Sequence, residues 1–397
     1  MAKKHKYNEE ELPSTNKWVA ENFAIGSLIG CGSFGRVYSV QSRKDKSVYA
    51  LKEIGQAMLA KFLTLELKIM SELGGRNNVI KMFGGHRDRG RVFVVMEYFH
   101  HDDFKTILPR MTTEEKLFYF KNLLIALEHL HSANIIHRDV KPGNFLYNRH
   151  HRRFALIDFG LSQEYRPKTV AQQKRRLVYG RLNQPPAAKR KKIYNCRCND
   201  DYCCATCLEK PEKRVNKGGT PGFRPPEILL RFAQETQSTA IDIWSAGILL
   251  LSLLFKRHPL FRPSDDFRGI CQIASILGSE SITSAAERNG TTIRLPRYPG
   301  VDIGKIMNVV RPGWTREFQS ELNCSTCRKL IFANTKGRCF CKKTEEKTNE
   351  TLDPVTRLLV HLVHQALDPD PSTRRTATSL LIVIKDFENF NPGCFDY

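Results

Sequence analysis

HRDVKPGNFLYN, residues 137–148, followed by DFG at 158–160, is the stretch that decides the fold. It gathers Asp139, Lys141, Asn144 and Asp158 into one short span. Working outward toward the N-terminus, Lys52 sits in VYALK, where it can pair with nucleotide phosphates. Before it, Gly30, Gly32 and Gly35 form G-x-G-x-x-G followed by Val37, a turn whose missing side chains let backbone N–H groups lie over phosphates. Toward the C-terminus, PPE supplies Glu227. Alone, the glycine turn reads equally well as a plain hairpin. Five motifs in this order and spacing do not arise by chance.

The surrounding pattern is a small strand-rich part followed by a larger helical one. IGSLIGCGSFGRVYSV (25–40) reads as strand, glycine turn and strand, VYALKEI (48–54) as a third strand, and RVFVVMEYF (91–99) as a later one. KFLTLELKIMSEL carries apolar residues at helical spacing, as do EEKLFYFKNLLIALEHLHSA and AIDIWSAGILLLSLLF. Two regions break this order: residues 165–217, and a loop-rich segment from about 284 to 352. The first holds 15 Lys plus Arg against 4 Asp plus Glu, so much of the chain's net charge of +22 lies there. Such an excess favours acidic partners: nucleic acid, acidic protein tails or an anionic surface. The N-terminus lacks the apolar run of a signal peptide, and no window approaches a membrane span. The expectation is a soluble intracellular protein that touches no membrane.

Together the motifs resemble the eukaryotic protein kinase family over nearly the whole chain. The resemblance implies an α+β, bilobal protein kinase fold, with a small strand-rich N-lobe (23–98), a larger helical C-lobe (99–390) and two cysteine-bearing inserts. An N-terminal extension (1–22) and a tail (391–397) flank them. It also implies roles. A transferring phosphoryl group spreads negative charge over its oxygens, so catalysis is mainly positioning plus cationic stabilisation. Asp139 orients or accepts the substrate hydroxyl proton, Lys141 steadies the transferred group, and Asn144 with Asp158 holds magnesium. Gly30, Gly32, Ser33, Gly35, Val37, Ala50 and Lys52 belong to the ATP site. Met96 resembles the gatekeeper behind the adenine, with Glu97 and Phe99 offering backbone hydrogen bonds. Lys52 needs an acidic partner on the following helix. Glu66 fits, whereas Glu72 lies too near the glycines at 74 and 75. His137 reads as a structural histidine, Arg138 as a group that meets an anion on the activation segment, and Arg374 as the partner of Glu227.

Residues 195–210, NCRCNDDYCCATCLEK, fall between Asp158 and Glu227, inside a long activation segment. Cys196-x-Cys198 with Cys204-x-x-Cys207 supplies four thiolates at a spacing suited to tetrahedral zinc, and Cys203 is left as a substitute or bystander. Free surface thiols are the plainer reading. Zinc closing a loop too polar to fold by itself explains the spacing better. Cys324-x-x-Cys327 with Cys339-x-Cys341 repeats the inventory and marks a second candidate zinc site.

HRDVKPGNFLYN, the cysteine pairs just before GTPGFRPPE and the two inserts make a narrower match. They resemble the cell division cycle seven kinases, the catalytic subunits of the Dbf-four-dependent kinase. That resemblance implies a nuclear ATP-dependent serine/threonine kinase. It would be activated by a Dbf-four-like regulatory subunit, and would promote initiation of DNA replication by phosphorylating acidic tails of the minichromosome maintenance helicase. The chain departs from the pattern in a short activation insert, the second cysteine set and Pro225 where many kinases have alanine. Thr220 is expected near Asp139, and Arg224 is expected to read an acidic side chain after the phosphate acceptor. Two other readings remain: an acidophilic kinase of the casein kinase two type without zinc or partner, and a non-enzymatic scaffold that binds nucleic acid through the basic insert.

Overall fold

The computed structural model describes residues 16–32, 35–55, 60–88, 90–165, 218–231, 238–307, 322–323, 330–331 and 352–391. In chain order the first elements are α1 (Lys17–Asn22), β1 (Phe23–Gly32), β2 (Gly35–Ser42), β3 (Val48–Ile54), α2 (Ala60–Glu72), β4 (Met82–Asp88) and β5 (Arg91–Glu97). Next come α3 (Phe104–Ile107), α4 (Thr113–Ser132), β6 (Ile135–Ile136), β7 (Phe145–Asn148), β8 (Arg153–Leu156) and β9 (Gln163–Glu164). The remaining helices are α5 (Pro226–Leu229), α6 (Ala240–Leu254), α7 (Asp266–Leu277), α8 (Ser279–Arg288), α9 (Ile303–Met307), α10 (Pro354–Ala366) and α11 (Ala377–Phe390).

The chain divides into two compact units, Met1–Asp103 with Gly143–Gln163, and Phe104–Pro142 with Glu164–Tyr397. The first is built on an antiparallel sheet of order β1-β2-β3-β5-β4. Alternation along its strands separates two faces. One face buries Tyr38, Val40, Leu51, Phe93 and Val95 against Val19 and Phe23. Val19 belongs to α1, which Asn16 caps by accepting a hydrogen bond from the Val19 N–H at 3.1 Å. Trp18 stacks on His86 at 4.5 Å. The end of the segment read as an N-terminal extension is therefore part of this unit's core. Its signal was a six-residue helix, too short to show a periodicity.

Residues 143–163 join the same unit, whereas the sequence places them in the C-lobe. The cause is backbone pairing across a long separation. Leu156 donates its N–H to the Asn78 carbonyl at 2.7 Å, and its own carbonyl accepts from Ile80 at 3.1 Å.

In the second unit every residue of α6 is buried, as expected of a helix that is apolar on all sides. It packs against α4 and α10, while α11 packs on α4. The stretch from 284 to 307, read as the opening of a loop-rich insert, belongs to this helical core. Ala285 and Ala286 of α8 are fully buried, and Ile303 and Ile306 of α9 nearly so. The intervening stretch is held by Ser279 N–H to the Tyr298 carbonyl (2.9 Å) and Val301 N–H to the Ile276 carbonyl (2.7 Å). No helix among the described residues is long and apolar enough to cross a membrane.

Candidate active site

In the first unit, opposite residues of an antiparallel pair share a face. Gly30 opposes Val37, Val37 opposes Lys52, Lys52 opposes Val94, and Ala50 opposes Met96. One face of the sheet thus carries Gly30, Val37, Ala50, Lys52 and Met96, the face opposite the core described above. The hairpin closes with Gly32 opposite Gly35. A side chain at Gly35 would run into the Glu53 carbonyl oxygen, so only glycine lets β2 lie this close to β3. Ser33 lies outside the described residues.

Lys52 ends on that face with two carboxylates around its ammonium group, Glu66 Oε1 at 2.5 Å and Asp158 Oδ1 at 3.0 Å. Helical spacing places Glu66 with Ile69 and Met70 on the buried side of α2, while Glu72 is exposed. Burial alone would push the Lys52 ammonium down, but the charges of Glu66 and Asp158 outweigh it and hold the group above its ordinary range. Asp158 keeps 40% of its side chain exposed and adopts a left-handed backbone, φ 65°. Strain of that kind clusters at functional sites. Asn144 is buried, and its carbonyl accepts from the Ile157 N–H at 2.9 Å, which ties it to the residue preceding Asp158.

In the second unit, Asp139 is 7% exposed and both its oxygens are engaged. Lys141 Nζ donates to Oδ2 at 2.6 Å and to Thr220 Oγ1 at 2.9 Å, while the Thr220 hydroxyl donates to Oδ1 at 2.6 Å. Carboxylate, ammonium and hydroxyl close a three-membered ring of charge-assisted hydrogen bonds.

What fixes Asp139 is Asp242, in the first turn of α6 and without solvent exposure. Its carboxylate accepts from the backbone N–H groups of His137 and Arg138, both at 2.7 Å, and meets His131 Nε2 at 2.9 Å. Burial opposes ionisation of Asp242, but the hydrogen bond and charge of His131, the charge of His137 and the Arg138 N–H overcome it and keep the carboxyl below its usual range. His137 Nδ1 accepts from the Asp139 N–H at 3.2 Å, so this histidine shapes the loop. Arg138 has φ 69°, and its guanidinium lies against Gly218, where a Cβ would fall 2.7 Å from Nη2. His131 gave no signal in sequence, being one of two histidines in the last turn of a long helix.

Arg224 donates through Nε to the Gly219 carbonyl at 2.9 Å, and its Nη1 lies 3.8 Å from Asp266. A cavity of about 100 Å³ beside it is lined by Pro221, Gly222, Leu229, Phe261 and Asp266 among others. Glu227 and Arg374 form a fully buried pair, Nη1 to Oε1 at 2.7 Å and Nη2 to Oε2 at 3.0 Å.

The structure thus gathers Gly30, Val37, Ala50, Lys52, Glu66, Met96, Asn144 and Asp158 in the first unit, and Asp139, Lys141, Thr220 and Arg224 in the second. Cys196, Cys198, Cys203, Cys204, Cys207, Cys324, Cys327, Cys339 and Cys341 lie outside the described residues. Among the described residues no group of three or more His, Cys, Asp or Glu is placed to hold a metal ion.

The model of the protein kinase domain matches residues 23–179 and 200–383. The chain is 35% identical over 268 residues to a probable cell division control protein 7 homolog of Encephalitozoon cuniculi, covering 67% of this chain and 74% of the relative. It is 28% identical to the cell division cycle 7-related protein kinase of Mus musculus, over 72% of this chain and 71% of that one. It is 33% identical to the cell cycle serine/threonine-protein kinase hsk1 of Schizosaccharomyces pombe, over 71% and 61%. With the Lys52–Glu66 pair and the Asp139–Lys141–Thr220 ring in place, these matches mean that the chain belongs to the protein kinase family and, within it, to the serine/threonine kinases of the cell division cycle 7 type.

Proposed function

We propose that this cell cycle kinase works in the nucleus with a Dbf-four-like regulatory subunit. Its substrates are serine or threonine followed by an acidic or already phosphorylated residue, on the acidic tails of the minichromosome maintenance helicase. The observation that carries the acidic preference is Arg224, four residues beyond Thr220, whose hydroxyl touches Asp139. One guanidinium edge is spent on Gly219, and the other faces the weak, long contact to Asp266. A substrate carboxylate or phosphate can replace that contact with shorter, paired hydrogen bonds. The basic segment 165–217 adds a field that draws acidic tails and suits direct nucleic-acid binding as well. Partner activation is supported by that segment's poverty in phosphorylatable residues: between Ser162 and Thr220 the only serine or threonine residues are Thr169 and Thr206.

ATP and magnesium fit the chain's own donors. Asn144 and Asp158 offer hard oxygen ligands within one unit, the donor type magnesium takes. When bound, the ion neutralises phosphate charge and orients the transferable group. Lys52 then meets phosphate oxygens while Glu66 fixes its direction. Asp139 orients the acceptor hydroxyl, and Lys141 offsets charge at the transferred group.

On a peptide array, the kinase co-expressed with its partner should favour Asp, Glu or phosphoserine directly after the acceptor. Arg224→Ala should flatten that preference by about tenfold, one hydrogen-bonded charge pair, while leaving the salt-sensitive general liking for acidic peptides. A wild-type preference for proline at that position, or full activity of the lone chain, would sink the reading.

The cysteine sets add structural zinc to the proposal. Metal analysis of the purified chain should find one to two zinc ions, about one per four-thiolate set, and Cys204→Ser with Cys207→Ser should remove one of them. Unchanged zinc content in that variant would place the ligands elsewhere.

A further inference from the structure

The end of β5 and the residues after it, whose backbone at Glu97 and Phe99 is assigned above to the adenine, are stitched to the β7–β8 hairpin. Arg153, the first residue of β8, donates through Nη2 to Glu97 Oε1 at 2.6 Å, and its guanidinium lies over the Phe99 ring at 5.4 Å. Further along, Asn148 Nδ2 donates to the His100 carbonyl at 3.0 Å, the Asp102 N–H to the Tyr147 carbonyl at 2.9 Å, and the Arg149 N–H to Asp102 Oδ2 at 2.8 Å. The hairpin itself is stiff, with Phe154 stacked between Phe145 at 5.3 Å and Tyr147 at 4.4 Å. All of these groups belong to the first unit. One side chain, Arg153, thus grips both residues that present the adenine-reading backbone, through a carboxylate on one and an aromatic face on the other.

We propose that Arg153 is a positioning residue for nucleotide binding, holding the 97–99 backbone in its reading conformation by bracing Glu97 and Phe99 against β8. The inference rests on the assignment of that backbone to the adenine. The turn's other basic groups do not make it an anion site. Glu97, Asp102 and Asp103 balance Arg149, Arg152 and Arg153, so the neighbourhood is close to neutral when its histidines are uncharged. The brace therefore acts through geometry, and geometry and charge predict opposite results for one variant. If Arg153 helped ATP only by its charge, Glu97→Gln would remove a negative charge and tighten binding. If it acts as a brace, Glu97→Gln loosens the same contact and weakens binding.

Titration of the full-length chain with Mg·ATP, by calorimetry, reads this directly. Arg153→Met should weaken binding by about two- to fivefold, the scale of a half-exposed ion pair, with the melting temperature unchanged. Glu97→Gln should weaken it similarly, and the double variant should be no worse than either single, since both remove one interaction. Arg153→Lys should recover part of the loss by keeping the charge but not the planar guanidinium that reaches both Glu97 and the Phe99 ring. Tighter binding by Glu97→Gln, additive losses in the double variant, or an unchanged Kd in Arg153→Met would overturn the proposal. Ala50→Leu, which crowds the opposite sheet position to Met96, checks the assignment beneath it. If that variant binds Mg·ATP as wild type does, the adenine lies elsewhere and the role of Arg153 falls with it.

Discussion

Asp139→Asn should leave a folded protein whose phosphoryl transfer is lower by about 10²–10⁴-fold, the range for losing a positioned acid or base. The substitution is isosteric, and the clamp beneath it is untouched, because Asp242 holds the backbone N–H groups of His137 and Arg138 and not the Asp139 side chain. What changes is the ring above. The amide keeps one oxygen for the Thr220 hydroxyl but turns an NH₂ toward the Lys141 ammonium, which loses its carboxylate partner. Donor then faces donor, and the substrate hydroxyl has no base to orient it. Single-turnover assays with saturating Mg·ATP, beside a thermal melt, separate loss of chemistry from loss of fold. Near-normal turnover would remove Asp139 from the reacting atoms.

The second large effect concerns stability. Arg374→Met should destabilise the chain by about 3–5 kcal/mol, the cost of leaving a buried charge without its partner. Neither side chain of the Glu227–Arg374 pair is exposed. Arg374 also donates to the carbonyls of Ala240 at 2.8 Å and Asp368 at 2.8 Å, and lies over the Trp244 ring at 5.0 Å. One guanidinium therefore ties the loop before α11 to α5 and the start of α6. Adding Glu227→Gln should recover part of the loss, since it removes the stranded carboxylate while leaving the missing backbone bonds. Urea unfolding followed by fluorescence decides it: a loss under about 1 kcal/mol, typical of an exposed pair, contradicts the burial argument.

Much of the candidate site is legible in the sequence. Lys52, Asp139, Lys141, Asn144 and Asp158 are named by short motifs, because phosphate chemistry admits few residue types at each place. Glu66 follows from the kinase resemblance, which asks for an acidic partner of Lys52 on the next helix, and from the glycines that set Glu72 aside, and the structure puts it 2.5 Å from Lys52. The buried character of α6 shows in an apolar run that leaves no polar face.

What needed the tertiary structure is what depends on groups far apart in the chain. Asp242 is an acidic residue in an apolar helix until three donors from 131–138 are seen around it. The sequence places residues 143–163 in the C-lobe, yet Leu156 pairs with Asn78 and Ile80 and carries Asn144 and Asp158 into the first unit. Arg224 reads in sequence as a cation only, and its contacts with Gly219 and Asp266 emerge from the fold. Sequence determines which groups are present and which face of a strand or helix they occupy, because those periodicities are local. The partner each charge meets is decided only when chain segments pack, because burial makes pairing obligatory and the available partner is set by the fold.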